Sequence, residues 1–215
     1  MYIGRIVSVA QASDGRLCAL YRVSSRSFPN RTAVIGGDKV SIVPKPGYEL
    51  DVQKNPYIAY NCVRVVCGGA VAVVTNGSQT DSIAEKIDAG MAPRDAVALS
   101  SLILDYEKDS YNTPRVSAVV DKRDGSGWLG IVRHDGIQVE RVALTPGRLF
   151  YVATYEENHV TPAHGDTFPA DSVQGACDYI LGEGVFAARL NPVTAVAAMS
   201  AEGGFNLFAK DAPAE

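Results

Sequence analysis

Excess positive charge, histidine, tryptophan and long apolar runs are scarce or missing in this sequence, and each shortage closes off a class of function. Lysine and arginine number 20 against 24 aspartates and glutamates, a formal net charge of −4. That balance excludes broad, charge-driven binding to nucleic acid, which needs a concentrated basic surface, so any anion site must be local. No apolar stretch approaches the ~20 residues that span a bilayer, and the first residues lack the basic-then-apolar order of an export signal. The expectation is a cytoplasmic protein with no membrane partner. Metal ligands are equally short. Cys18, Cys62, Cys67 and Cys177 are irregularly spaced with no Cys-x-x-Cys pair, and only His134, His159 and His164 could join them. The reading is no metal site and four buried free thiols in a reducing compartment.

What remains is the composition of an ordinary globule, 47% hydrophobic and 20% charged. Pro, Gly and Ser are scattered as turn punctuation, with no low-complexity stretch to separate two units. Residues 1–215 are therefore expected to form a single domain with a sizeable core.

Short β-branched runs joined at glycine turns dominate the chain. Residues 3–10 and 17–23 flank Asp14-Gly15, a strong hairpin signal. A short strand at 40–43 ends at Pro44. Residues 58–66 and 70–75 flank Gly68-Gly69. Runs at 116–120, 127–133, 137–142 and 149–154, linked through Asp124-Gly125, Asp135-Gly136 and Pro146-Gly147, read as one antiparallel meander, and 193–199 with 205–209 close a last hairpin at Gly203-Gly204. Helices fit only two regions. Ser82 with Glu85 has the spacing of a capping box before a helix to about Ala89, stopped by Gly90. Pro93 then suits a first helical position, with Val97, Leu99, Leu102, Ile103 and Leu104 as an apolar stripe. A third helix fits 170–181. Hairpins with clustered helices predict an α+β fold, a four-layer αββα sandwich of mainly antiparallel sheets.

Four polar clusters are left unexplained by periodicity. Residues 22–31, Arg-Val-Ser-Ser-Arg-Ser-Phe-Pro-Asn-Arg, gather three arginines and three serines, suited to phosphate or carboxylate oxygens, with Phe28 as a flat face for a base. Residues 55–61, Asn-Pro-Tyr-Ile-Ala-Tyr-Asn, place tyrosines and amides at a strand entry. Residues 75–81, Thr-Asn-Gly-Ser-Gln-Thr-Asp, precede a helix whose free N–H groups favour an anion or serve as a plain cap. Residues 105–109, Asp-Tyr-Glu-Lys-Asp, with 112–115, Asn-Thr-Pro-Arg, form a charged helix end that spacing alone would leave as a solvated face.

Together these four motifs resemble the archaeal-type, stand-alone IMP cyclohydrolase family, and the resemblance runs from Tyr2-Ile3-Gly4-Arg5 to Asn191-Pro192-Val193-Thr194-Ala195. The family is similar in fold to the N-terminal-nucleophile hydrolases. The chain begins Met1-Tyr2, so the Ser, Thr or Cys nucleophile of an amidohydrolase is not expected. A non-catalytic nucleotide-binding module is the remaining alternative.

The resemblance implies closure of 5-formamidoimidazole-4-carboxamide ribonucleotide to IMP with loss of water, a small-molecule nucleotide substrate and no nucleic-acid partner. The carboxamide nitrogen attacks the formyl carbon, which requires positioning, stabilised charge on the formyl oxygen and proton movement. No cofactor is implied, since no electrons move and the carbon is already on the substrate. Self-association is open. Arg26 and Arg31 with Ser24 and Ser25 are the candidates for phosphate, the start of the third motif's helix at 78–81 with Asp81 being a rival. Asn30 and Arg115 belong to the same binding set, and Phe28 would stack on the imidazole. Asn61 and Asn76 would donate to carboxamide or formyl oxygen. Tyr60, Tyr106, Glu107 and Lys108 are the candidates for proton transfer, a raised Glu or a lowered Lys being able to act near neutral pH, with Arg22 orienting the carboxylate.

Overall fold

Alternation along β1 (Ile6–Gln11) and β2 (Leu17–Ser24) already defines two cores, one on each face of the sheet they begin. Val7, Val9, Ala19, Tyr21 and Val23 face one, while Ile6, Ala10, Cys18 and Leu20 face the other. In this computed structural model, which describes residues 1–213, that first sheet has six strands. β10 (Arg148–Ala153) lies beside β1 with β11 (Gly165–Thr167) outside it, and β12 (Pro192–Ala201) lies beside β2 with β13 (Gly204–Asp211) outside it.

The second sheet has seven strands laid down in sequence order. They are β3 (Arg31–Gly36), β4 (Lys39–Pro44), β5 (Tyr60–Val66), β6 (Val71–Thr75), β7 (Arg115–Asp121), β8 (Ser126–Arg133) and β9 (Gly136–Val142). All pairings in both sheets are antiparallel. Val7, Val9 and Val196 of one sheet pack with Val40, Val63, Val74 and Val116 of the other in a core between them.

Helices cover the outer faces. α4 (Val173–Gly182), capped by Ser172 Oγ accepting from Gly175 N–H at 3.1 Å, buries Ala176, Cys177 and Ile180 against the first sheet. α2 (Gln79–Asp88) and α3 (Pro93–Leu104) bury Ile83, Ile87, Ala96 and Val97 against the second. A single-turn α1 (Asp51–Lys54) and a 3-10 turn, Pro56–Ile58, lead into β5, and a second 3-10 turn, Gly184–Phe186, follows α4. Two large antiparallel sheets and four helices thus form an α+β sandwich. Among the described residues, no helix is long and apolar enough to cross a membrane.

Several expectations are corrected. The meander breaks after β9, because β10 crosses to the other sheet and pairs with β1. β3 and β11 were not foreseen. α2 starts at Gln79, so Ser82 lies inside it, where its hydroxyl meets Ser100 Oγ and Lys86 Nζ instead of capping. In α3 the stripe of Leu99, Leu102 and Ile103 faces outward. The cause is close approach: a Cβ on Gly130 of β8 would lie 2.5 Å from Val97 Cγ1, so Ala96, Ser100 and Ser101 take the inward face, where larger side chains would not fit. All four cysteines are free, but Cys67 is only half-buried.

Candidate active site

The end of the sandwich where β3, β5 and the entries to β1 and β7 meet carries charge beside an apolar inter-sheet layer. Glu107 sits at its centre. The loop between α3 and β7 folds back on itself: Glu107 N–H donates to Thr113 O at 2.8 Å, and Asp109 accepts from Thr113 N–H and Oγ1 at 2.9 and 2.7 Å. Asp105 and Asn112 take left-handed backbone conformations, φ +56° and +48°, to make the turns. The result buries Glu107 to 1% exposure and leaves its neighbours outside.

Two arginines flank the Glu107 carboxylate. Arg5 Nη2 donates to Oε2 at 2.9 Å, and Arg115 Nη1 stands 3.9 Å from Oε1, which has no hydrogen-bond partner. Burial pushes the Glu107 pKa above the ordinary carboxylate range, opposed by Arg5 and then Arg115. Arg115 is held by Gln79 Oε1 at 3.0 Å and stacks 5.6 Å from the centre of the Tyr57 ring. Gly77 leaves room for this pair, since a Cβ there would come within 2.5 Å of Arg115 Nη1 and displace it.

On the inter-sheet side, Tyr21 of β2 and Tyr60 of β5 bring their hydroxyl oxygens to 2.6 Å. Arg31, first residue of β3, is 2% exposed and donates through Nε to Phe28 O at 3.0 Å. Its remaining electrostatic neighbours are Tyr60, Arg5, Tyr21 and Glu107, and burial lowers its pKa. Beside this end opens a cleft of about 540 Å³, lined among others by Tyr2, Arg26, Phe28, Lys54, Tyr57 and Tyr155. Arg5 also lines it, which connects the cleft to Glu107.

The structure thus brings Glu107, Arg115, Arg31 and Tyr60 together, with Ser25, Arg26 and Phe28 on the cleft wall; Ser25 Oγ accepts from Phe28 N–H at 3.0 Å, and Arg26 lies 4.4 Å over the Tyr2 ring. Other expected residues lie apart. Arg22 does not orient Glu107; it is on the outer face of the first sheet, bound to the carbonyls of Phe186 and Arg189 and to Ser24 Oγ, and Arg5 takes the place expected for it. Ser24 is buried beside it. Asn30 borders a separate depression with Lys45 and Asn191. Asn61 Nδ2 donates to both oxygens of Asp81 at 3.0 Å, and Arg64 adds a 2.8 Å contact. The Asn76 amide donates to Pro114 O and accepts from Val116 N–H and Gln79, so neither asparagine is aimed at the cleft.

Tyr106 meets His134 edge-on, and Lys108 is exposed over the Tyr106 ring and paired with Asp105. That pairing raises the Lys108 pKa, the opposite of what a neutral-pH base requires. Residue-by-residue reasoning assigned no role to Arg5, Tyr21, Tyr2 or Tyr155, which the fold brings to the charged end or the cleft, and noted Tyr57 only as part of the second motif. Arg5 had a signal, a charge at the entry to an apolar strand. Tyr21, inside an apolar run, had none. Among the described residues, no group of three His, Cys, Asp or Glu is placed to hold a metal.

The chain matches, over residues 2–204, the model of a family described as IMP cyclohydrolase-like protein. A relative from Methanosphaera stadtmanae named IMP cyclohydrolase is 50% identical over 200 residues, 93% of this chain and 95% of the relative. One of the same name from Methanocella arvoryzae is 51% identical over 174 residues, 80% of this chain and 83% of its own. A third from Methanocaldococcus jannaschii is 40% identical over 216 residues, 98% and 99% of the two chains.

Proposed function

The chain belongs to the IMP cyclohydrolase family, and from that premise we propose that its charged end is the active site closing 5-formamidoimidazole-4-carboxamide ribonucleotide to IMP with loss of water. The observation that carries the site assignment is Glu107: a buried carboxylate between two arginines, with one oxygen left unpaired in the protein. An unpaired buried oxygen costs stability, and a reacting ligand with a proton to exchange would satisfy it.

Ring closure moves one proton from the carboxamide nitrogen and one from the formamido nitrogen onto the formyl oxygen, which departs as water. Glu107 and Tyr60 are the two groups assigned to that traffic. Arg5, which donates to Glu107 and faces Tyr60, holds the carboxylate and offsets charge growing on the formyl oxygen. Arg31 supports the same charge from β3. At the cleft wall Arg26, Lys54 and Ser25 suit the phosphate, and Phe28 or Tyr57 the imidazole. Holding the two reacting arms together contributes further, ~7–11 kcal/mol in good intramolecular cases.

Residues 1–215 are read as one domain, since strands from both ends of the chain share one sheet. Helix layers on two stacked antiparallel sheets support likeness to the N-terminal-nucleophile hydrolase fold, used here for a reaction with no covalent nucleophile. A cytoplasmic site of action suits a biosynthetic substrate.

The test is ultraviolet absorbance of the metal-free protein with the formamido ribonucleotide, following the purine chromophore above the spontaneous rate. Rapid conversion without folate is the expected result. Tight binding of IMP with no conversion would leave a nucleotide-binding module and overturn the catalytic roles.

A further inference from the structure

Tyr21 is fully buried on β2, Tyr60 is half-buried on β5, and the 2.6 Å contact between their hydroxyls ties one sheet to the other. Two phenols carry two hydroxyl hydrogens, and the bond between them uses one. Among the described residues neither hydroxyl has a second hydrogen-bond partner, so one hydrogen is free to be given to something else. Either hydroxyl can donate while both phenols are neutral, and the direction is fixed only when one of them loses its proton. Burial raises the Tyr60 pKa, opposed by Arg31 from β3, Arg5 from the entry to β1 and Tyr21 from β2, with Cys62 of its own strand adding to the rise. Tyr21 lies deeper, with Arg5 and Arg31 as its cationic neighbours, and burial holds its own ionisation well above the ordinary range. Cys62 is buried and stays a neutral thiol. Tyr60, the half-buried phenol, is the one a ligand can reach, and once its proton has left only Tyr21 retains a hydrogen, so Tyr21 is then the donor and Tyr60 the acceptor across the 2.6 Å contact.

We infer that Tyr21 is a positioning residue for the cyclisation: it donates to the Tyr60 oxygen as the Tyr60 hydrogen passes to the substrate, and so stabilises the phenolate that is left. As the bond between carboxamide nitrogen and formyl carbon forms, Tyr60 gives its proton to the formyl oxygen and keeps the electron pair. The attacking nitrogen then returns a proton to the phenolate, so Tyr60 ends as it began. The inference rests on the cyclohydrolase reading for its chemistry, and on the hydrogen count and the flanking arginines for its geometry.

The experiment compares wild type, Tyr21→Phe and Tyr60→Phe in the same cyclisation assay across pH, with ultraviolet titration of the phenolate band alongside. Loss of a hydrogen bond to a charged oxygen should lower kcat in Tyr21→Phe about tenfold, with KM little changed. Activity needs Tyr60 protonated, so the alkaline limb of the kcat profile marks its ionisation. Without the Tyr21 donor that limb moves to higher pH, as does the Tyr60 phenolate signal, obtained by difference against Tyr60→Phe. Tyr60→Phe should abolish the limb, and adding Tyr21→Phe to it should cost nothing further. An unmoved limb in Tyr21→Phe, or KM rising as much as kcat falls, overturns the inference. Should Tyr21→Phe not fold, a limb that persists in Tyr60→Phe overturns it as well. Absence of cyclisation in wild type would sink the cyclohydrolase reading instead, while the titration still decides whether Tyr21 donates to Tyr60.

Discussion

Arg22 and Arg31 lie in one short segment and the fold buries both, yet their surroundings differ completely. Arg22 shares the face of Cys18 and Leu20 and points under the 3-10 turn after α4. Its Nη1 and Nη2 donate to Phe186 O at 3.2 Å and Arg189 O at 2.5 Å, and Nε donates to Ser24 Oγ at 3.0 Å. It serves as a cap for backbone carbonyls, with burial and then Arg189 pushing its pKa down to about 10. Arg31 shares the face of Ala33, toward the core between the sheets, and meets Tyr60 and Arg5 there. One cation is matched by acceptors of its own chain. The other adds to a surplus of positive charge that a nucleotide would balance. Strand parity, more than residue type, separates the arginine that caps carbonyls from the one proposed to bind.

Breaking the contrast at its strongest point means removing the group that the surplus surrounds. Glu107→Gln should lower kcat roughly 10²–10⁴-fold with little change in KM, and steady-state kinetics showing equal loss in both would remove Glu107 from proton transfer. Next comes Arg22→Leu, which leaves buried carbonyls unpaired. Urea unfolding should show a loss of about 3 kcal/mol, with near-normal turnover in the folded fraction. Arg31→Leu should do the reverse, raising KM about tenfold or more while stability stays within ~1 kcal/mol of wild type; a stability loss matching that of Arg22→Leu would erase the distinction.

A finer effect sharpens the same contrast through pH. Because burial raises the Glu107 pKa above the ordinary carboxylate range, the native protein holds that proton more tightly than the unfolded chain. The associated stability is complete below the unfolded value and is lost as pH rises through the folded one. The urea midpoint of wild type relative to Glu107→Gln should therefore fall across that window, and a flat difference would contradict the burial. Smallest is Lys108→Ala: loss of an exposed ion pair with Asp105 should leave the urea midpoint and kcat nearly unchanged.

Much of the sandwich was legible because strand periodicity and glycine turns are local signals, as at Asp14-Gly15 and Gly68-Gly69. What was not legible depended on distances between elements. Nothing local tells β10 to leave the meander, and the outward turn of Leu102 follows from how closely α3 approaches Gly130. The site behaves in the same way. Glu107 and Arg115 were visible in a charged motif, but the arginine that bonds Glu107 comes from the entry to β1, 102 positions away. Asn61 and Asn76 had the right chemistry, and their amides are taken by Asp81 and Pro114, partners that no spacing reveals.

The strand orders carry a consequence for how the molecule assembles. The seven-stranded sheet is a run of neighbours in sequence, β3 to β9, so its pairings join successive strands, the longest connection being the one that carries α2 and α3 between β6 and β7. The six-stranded sheet needs β10 beside β1 and β12 beside β2, closures over most of the chain, which are slow for entropic reasons. A nascent chain can therefore build one wall early and must wait for its last strands to build the other. Because Arg5 and Tyr21 belong to the late wall and Glu107 to the early one, binding competence should appear only in the final folding phase, together with the closing of the second sheet.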